Sequence, residues 1–332
     1  MQSPNPTPTS AQSAQQFVAG VRERVGKIVV GQDVVVERVM IALLTGGHLL
    51  LQGLPGLAKT LLVNAVAKAI NLDFKRVQFT VDMLPSDIIG SEIIDQKTGD
   101  FRIHRGPVFT NLLLADEINR AAPKVQGAML EAMQERKVTI GGQNLKLPTP
   151  FLVIATQNPV EQSGTFELPE AQLDRFMLLH RLGYPAREDE QQILQRQLGM
   201  GLRREGGGAV PRSAFDMIED NPGASVEDLV TAMEAVQAVH VSEVIVKHCV
   251  DLVRRTRESK LLDFGCSPRA GLALINASRA RAVIHGRDFV TPEDLFDLAE
   301  DVVLHRIRVS YEASAAGHTG KQVLEGILGN LG

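Results

Sequence analysis

A chain of 332 residues, 44% apolar and 22% charged, has room for roughly two domains with proper hydrophobic cores. A formal net charge of −4 excludes a nucleic-acid binder that works through bulk charge, and no Trp with two Tyr excludes an aromatic platform for single strands. Cys249 and Cys266 make neither a disulfide framework nor a zinc site, no apolar run reaches membrane-span length, and no N-terminal signal is read, so a reduced, cytoplasmic protein is expected.

Residues 1–16 are rich in Pro, Ser, Thr, Gln and Asn and nearly free of charge and large apolar side chains, the composition of a disordered tail. From Phe17 the pattern is helical, with Phe17, Val21, Val25 and Ile28 on one side. Val29-Val30-Gly31-Gln32 leads into a second helical run from Asp33 to Leu44, which Thr45-Gly46-Gly47 breaks. Leu49-Leu50-Leu51 reads as a buried strand, and Leu61 to Ile70 is apolar at helical spacing. Between them lies Gly53-Leu54-Pro55-Gly56-Leu57-Ala58-Lys59-Thr60. A glycine-rich turn from strand to helix can point its N–H groups at phosphate oxygens, with the positive helix end behind them. In such a loop Lys59 reaches the β/γ-phosphates and the Thr60 hydroxyl ligates Mg²⁺. Ala58 stands where the pattern G-x-x-x-x-G-K-[ST] has its second glycine; its methyl predicts ordinary helical φ/ψ, as for a residue entering the helix.

Phe74 to Thr80 alternates as a strand, and a long irregular segment, 82–107, follows. Within it, Ile93-Ile94 and Phe101-Arg102-Ile103 flank a turn at 97–100 and predict a β-hairpin, in a stretch long enough to be functional. Asn111 to Ala115 and Phe151 to Ala155 read as strands buried on both faces, with a helix from Pro123 between them. Gly141-Gly142 signals a second hairpin. Met177 to Leu182 is the fifth strand. Alternating buried strands and helices specify a parallel three-layer α/β sandwich over residues 17–186. Residues 187–332 read as a small all-helical domain, with helices headed by Ser242, Ser267-Pro268 and Thr291-Pro292 and a mobile Gly/Arg-rich stretch at about 199–212.

Asp116-Glu117 ends a buried strand, at the sheet edge where open α/β folds bind ligands. There Asp116 can hold Mg²⁺ and Glu117 can polarise an attacking water. Asn158 ends the next strand, where a neutral amide can bond the γ-phosphate or the water without competing for the cation. Arg175, in a short helix leading to the last strand, and Arg269, just inside the helix that Ser267-Pro268 begins, are candidates to neutralise charge on the γ-phosphate.

Val30-Gly31-Gln32, the loop at 53–60, LLLADEINRA at 112–121, ATQNP at 155–159, LPEAQLDRF at 168–176 and SPRA at 267–270 together resemble the MoxR family of AAA+ ATPases, from about Phe17 to Ser310. The resemblance implies an AAA+ P-loop core with a helical lid, ATP and Mg²⁺ as cofactors, hydrolysis of ATP to ADP and phosphate, and a homo-oligomer, usually a hexameric ring. It implies that Val30, Gly31 and Gln32 lie near the adenine and that Gly53 to Thr60, with Leu61 behind them, hold the phosphates. Asn158 would be sensor 1, Arg175 the arginine finger and Arg269 the sensor 2 arginine; residues 88–108 would be an insert extending the second core helix. Such proteins act as chaperone-like maturation factors for protein partners, often with a von Willebrand factor A domain. A nucleic-acid motor of the related MCM type, or a chelatase-like subunit driving metal insertion, is the alternative. The hairpins carry no dense basic stripe, which favours the protein partner.

Overall fold

The computed structural model describes residues 10–97, 99–160, 164–218 and 223–331. Five strands form a parallel sheet: β1 (Leu49–Gln52), β2 (Phe74–Gln78), β3 (Leu112–Asp116), β4 (Leu152–Gln157) and β5 (Leu178–Arg181), in the order β2-β3-β4-β1-β5. The pleat divides apolar runs that are continuous in sequence. Leu49, Leu51, Leu112, Leu114, Ile154 and Leu178 join one hydrophobic cluster, while Leu50, Leu113, Ala115, Val153, Ala155 and Leu179 join the other. Side chains alternate faces with period two, so a strand apolar at every position needs a layer on each side. Helices Asp33–Thr45 and Lys59–Ala69 supply one layer; helix Pro123–Glu135 covers the opposite face. The expected three-layer sandwich is therefore what forms.

Both hairpins are present. Gly90–Ile94 pairs antiparallel with Phe101–Arg105, and Lys137–Ile140 with Gln143–Lys146. In the second, Gly141 and Gly142 both have positive φ, 54° and 76°, which the tight two-residue turn requires.

The expected tail is corrected in part. Residues 1–9 lie outside the described residues, but a helix already runs from Ser10 to Gly26. Ala14, Val18, Val21 and Val25 are fully buried, and this helix packs against helix Val226–Ala238. Composition weighs a segment alone; the partner that buries its apolar side lies two hundred residues on in sequence.

The C-terminal region is helical as expected. Ser242 and Ser267 cap their helices by accepting from Ile245 N at 3.4 Å and Arg269 N at 3.2 Å. Two short antiparallel ribbons are added to it. Leu262–Phe264 pairs with Arg308–Val309, and Leu202–Glu205 with Gly208–Pro211. The latter occupies the stretch read as mobile at 199–212; Gly206 and Gly207, both at positive φ, turn the chain back on itself. A single hydrophobic cluster runs from the sheet through Val39 and Ile41 to Leu274, Leu298 and Val302 of the C-terminal helices. No helix among the described residues is long and apolar enough to cross a membrane.

Candidate active site

Parallel strands bring their carboxyl ends to one edge, and β1, β3 and β4 are neighbours there. The edge opens on a cavity of about 450 Å³ lined by Pro55 to Leu61 from the loop after β1, Asp116 and Glu117 from β3, and Asn158 after β4. The fold thus brings Lys59, Thr60, Asp116, Glu117 and Asn158 around one cavity. Gly53 and Leu54 stand just behind the wall: their carbonyls accept from Lys59 Nζ at 2.6 and 3.3 Å. Burial lowers the pKa of the Lys59 ammonium, and the charges of Asp116 and Glu117 oppose that shift. An anion at the tip of Lys59 would oppose it further.

Ala58 corrects an expectation. Its φ and ψ are 54° and 21°, the left-handed region and not the helical one. Curling the loop so that its amides face inward reverses the backbone at the last residue before the helix. For a residue with a Cβ this conformation costs about 1–2 kcal/mol. Glu117 is left-handed too, at φ 56° and ψ 49°. Two such residues facing one cavity are strain placed where ligands bind.

The Asp116 carboxylate is held on both oxygens. Oδ1 accepts from Thr156 Oγ1 at 2.5 Å; Oδ2 accepts from Arg76 Nε at 3.0 Å and Nη2 at 2.7 Å, with Thr60 Oγ1 at 3.5 Å. Glu117 Oε2 accepts from Gln78 Nε2 at 2.9 Å and lies 2.6 Å from Arg120 Nε. Asn158 is buried, and its Oδ1 accepts from Val160 N at 3.2 Å.

A second, more apolar cavity of about 140 Å³ adjoins the first, sharing Gly56, Leu57, Ala58 and Leu61. Val30 and Gln32 line it together with Pro185, Ile193 and Met200. Gly31, at φ 69°, lies so close to Asp189 that a Cβ there would come within 2.4 Å of its carboxylate. This fixes the 30–32 turn against helix Arg187–Gly199. A mostly apolar cavity beside a glycine-rich loop at a helix start suits a nucleoside.

Arg175 and Arg269 are not in either cavity wall. The short helix is Glu170–Leu173, so Arg175 lies just past it; its Nε donates to Gln134 Oε1 at 3.0 Å and its Nη1 to Ala171 O at 2.9 Å. It precedes β5, at the amino end of the sheet, whereas the phosphate loop follows the carboxyl end of β1. Arg269, more than half exposed, lies 3.7 Å from Asp174, which also receives Arg306 Nε at 2.8 Å and Ser267 Oγ at 3.2 Å.

A profile of the "ATPase family associated with various cellular activities (AAA)" matches residues 48–178, and one of the "AAA lid domain" matches 254–327. "Chaperone MoxR1" of Mycobacterium tuberculosis is 43% identical over 88% of this chain and 75% of that protein. "Uncharacterized protein YeaC" of Bacillus subtilis is 40% identical over 92% of this chain and 91% of that protein. A crystal structure from Cytophaga hutchinsonii, described as a candidate ATPase, superimposes with a TM-score of 0.85 at 42% identity, covering 96% of this chain and 95% of that one. The chain belongs to the MoxR family of AAA+ ATPases.

Three residues lining this MoxR protein's cavity, Arg76, Gln78 and Phe215, were given no role from the sequence, and nor was Thr156, which bonds Asp116. Arg76 and Gln78 are two apart on β2 and so share a face, opposite Val77 and Phe79. The alternation was visible, but which strand would lie beside β3 was not. Phe215 comes from the turn Ala214–Met217, more than a hundred residues after the loop it faces, and no local pattern marks it. Cys249 and Cys266 are buried with thiols pushed up to about 11, so neither is a nucleophile at neutral pH.

Proposed function

We propose that this chain is an ATPase that hydrolyses Mg·ATP to ADP and phosphate and uses the cycle to remodel or mature a protein partner as a homo-oligomeric ring. The observation that carries the reading is Asp116-Glu117 facing the 53–60 loop across one cavity, with Thr60 and Asp116 in contact. Among the described residues no cluster of three His, Cys, Asp or Glu could cage a metal. A hydroxyl and one carboxylate are nevertheless what Mg²⁺ takes when phosphate oxygens complete its shell, so Thr60 and Asp116 fit it. Bound there, Mg²⁺ supplies charge neutralisation for the β- and γ-phosphates. Lys59 and the loop amides hold the phosphates, and Val30, Gly31 and Gln32 border the adenine slot. A water oxygen attacks the γ-phosphorus as its bond to the bridging oxygen breaks; Glu117 takes the water proton, and Asn158 orients the water.

Arg175, bonded to Gln134 and Ala171, and Arg269, beside Asp174, both lie outside the walls of their own cavity, which supports both acting on a neighbouring subunit's γ-phosphate. A hexamer is the expected ring. Support for a protein client comes from the name of the mycobacterial relative and from hairpins that form no dense basic stripe. A partner with a von Willebrand factor A domain is the first candidate, and the cytoplasm the expected compartment.

The test separates binding from chemistry. Lys59→Ala should lose binding of a fluorescent ATP analogue. Glu117→Gln should bind it normally but turn ATP over at least about 10²-fold more slowly, the low end for a general base. Normal turnover in Glu117→Gln would remove Glu117 from its role.

A further inference from the structure

We propose that Arg76 is a built-in counter-ion of Asp116 that the divalent cation must displace, so that arrival of the cation also loosens one of the two contacts that hold Glu117. The inference rests on the ATPase reading and concerns regulation of the same site. Asp116 has little room for another partner: Oδ1 is taken by Thr156, and Oδ2 receives two bonds from the Arg76 guanidinium beside Thr60. That oxygen is the one a cation bridging Thr60 and Asp116 would need. The Asp116 side chain is 11% exposed, whereas that of Arg76 is 48% exposed. A buried carboxylate requires a cation beside it, but a half-exposed arginine on the edge strand β2 can withdraw to water at small cost.

The bonds continue as a chain. Arg76 Nη2 also donates to Gln78 Oε1 at 2.8 Å, and Gln78 Nε2 donates to Glu117 Oε2 at 2.9 Å. Arg76 therefore orients the amide that shares Glu117 Oε2 with Arg120 Nε, 2.6 Å away. Displacing the guanidinium removes the acceptor's partner and frees that amide to turn. One event, exchange of a guanidinium for a divalent cation at Asp116 Oδ2, is thereby linked to one of the two contacts on the base. Arg76 is a positioning residue in this scheme.

The test is metal binding, not turnover. Mn²⁺ is titrated into protein saturated with a non-hydrolysable ATP analogue, and free Mn²⁺ is read by electron paramagnetic resonance. With the competitor gone, Arg76→Ala should lower the half-saturating Mn²⁺ concentration about five- to tenfold, as expected for a partly exposed ion pair. Arg76→Lys, which keeps the charge, should return most of the way to wild type. An unchanged or raised half-saturation in Arg76→Ala, with the nucleotide bound, would overturn the proposal. Failure of wild-type protein to bind the analogue at all would overturn the ATPase reading itself and this inference with it.

Discussion

At the scale of single residues, His48 shows how neighbours dictate a protonation state. Val153 N donates to its Nδ1 at 3.0 Å, so that nitrogen is an acceptor; Nε2, 3.2 Å from Met133 O, carries the proton and donates. Protonating Nδ1 would break the first bond, and burial pushes the pKa down to about 4. In the unfolded chain His48 titrates near 6.5, so between pH 6.5 and 4 the unfolded state binds the extra proton. Stability is complete above that window and is lost as pH falls through it, by about 1.4 kcal/mol per unit and roughly 3 kcal/mol in all. Urea unfolding at pH 7, 6 and 5 should show a slope in wild type that is steeper than in His48→Gln by about 1 kcal/mol per unit. His305, also buried with its pKa lowered, contributes to both proteins and cancels in the difference. Parallel slopes would mean that His48 is not the group that titrates.

Among elements, the far end of the first hairpin stands apart from the core, although Ile103 packs against the core. Ile88, just before it, is fully buried, but Ile94 and Phe101 at its far end are 59% and 66% exposed. The ribbon closes on itself: Asp95 N donates to Asp100 O at 2.9 Å, Gly99 N to Asp95 O at 2.8 Å, and Arg102 pairs with Asp95 at 2.8 Å. A tip held by its own bonds and apolar toward solvent can be removed without opening the core. Replacing residues 96–101 by a short glycine turn should change the thermal midpoint by no more than a few degrees and leave basal ATPase within about twofold. Capture of a protein client by the Glu117→Gln trap should fall. Loss of cooperative unfolding in the variant would show that the ribbon is part of the core.

For the whole molecule, the question is which parts of the site a chain can supply to itself. β5 is four residues long and parallel to β1. At about 3.3 Å per residue, Arg175 at its amino end is at least about 13 Å from the edge where the phosphate loop lies. A neighbour in a ring can bring it closer. Lys59→Ala keeps Arg175 but has no working pocket; Arg175→Ala keeps the pocket but offers no finger. Mixed in one assembly they should regain ATPase activity, because some interfaces pair an intact pocket with an intact finger, whose contribution is typically about 10³–10⁵-fold. Native mass spectrometry showing mixed rings that stay inactive would refute the shared site. The C-terminal helices are set relative to the core by buried charge. Arg38 bonds Asp301 at 2.5 Å and Glu37 at 2.7 Å, His180 bonds Asp301 at 3.0 Å, and Arg281 joins Glu37 to Asp294. Such a network costs desolvation, and removing any one partner would leave a buried charge uncompensated.

Local chemistry was sufficient for the strands of the central sheet and for one side of the site. Leu49 to Leu51, Leu112 to Ala115 and the helical spacing after Thr60 are patterns of adjacent residues, and a phosphate loop, an acidic strand end and Asn158 follow from them because parallel strands deliver their carboxyl ends to one edge. Three things needed the tertiary structure. Residues 10–16 are helical because a helix beginning at Val226 buries Ala14 and its neighbours, a partner no window of sequence contains. Ala58 is left-handed because the loop must close around its own amides, which overrides the preference of an isolated alanine. Arg76 and Gln78 belong to the site because β2 pairs with β3 in the register that puts Gln78 beside Asp116. Strand order and register are set by packing across the whole sheet, and a side chain's neighbours on the next strand are settled there and nowhere earlier.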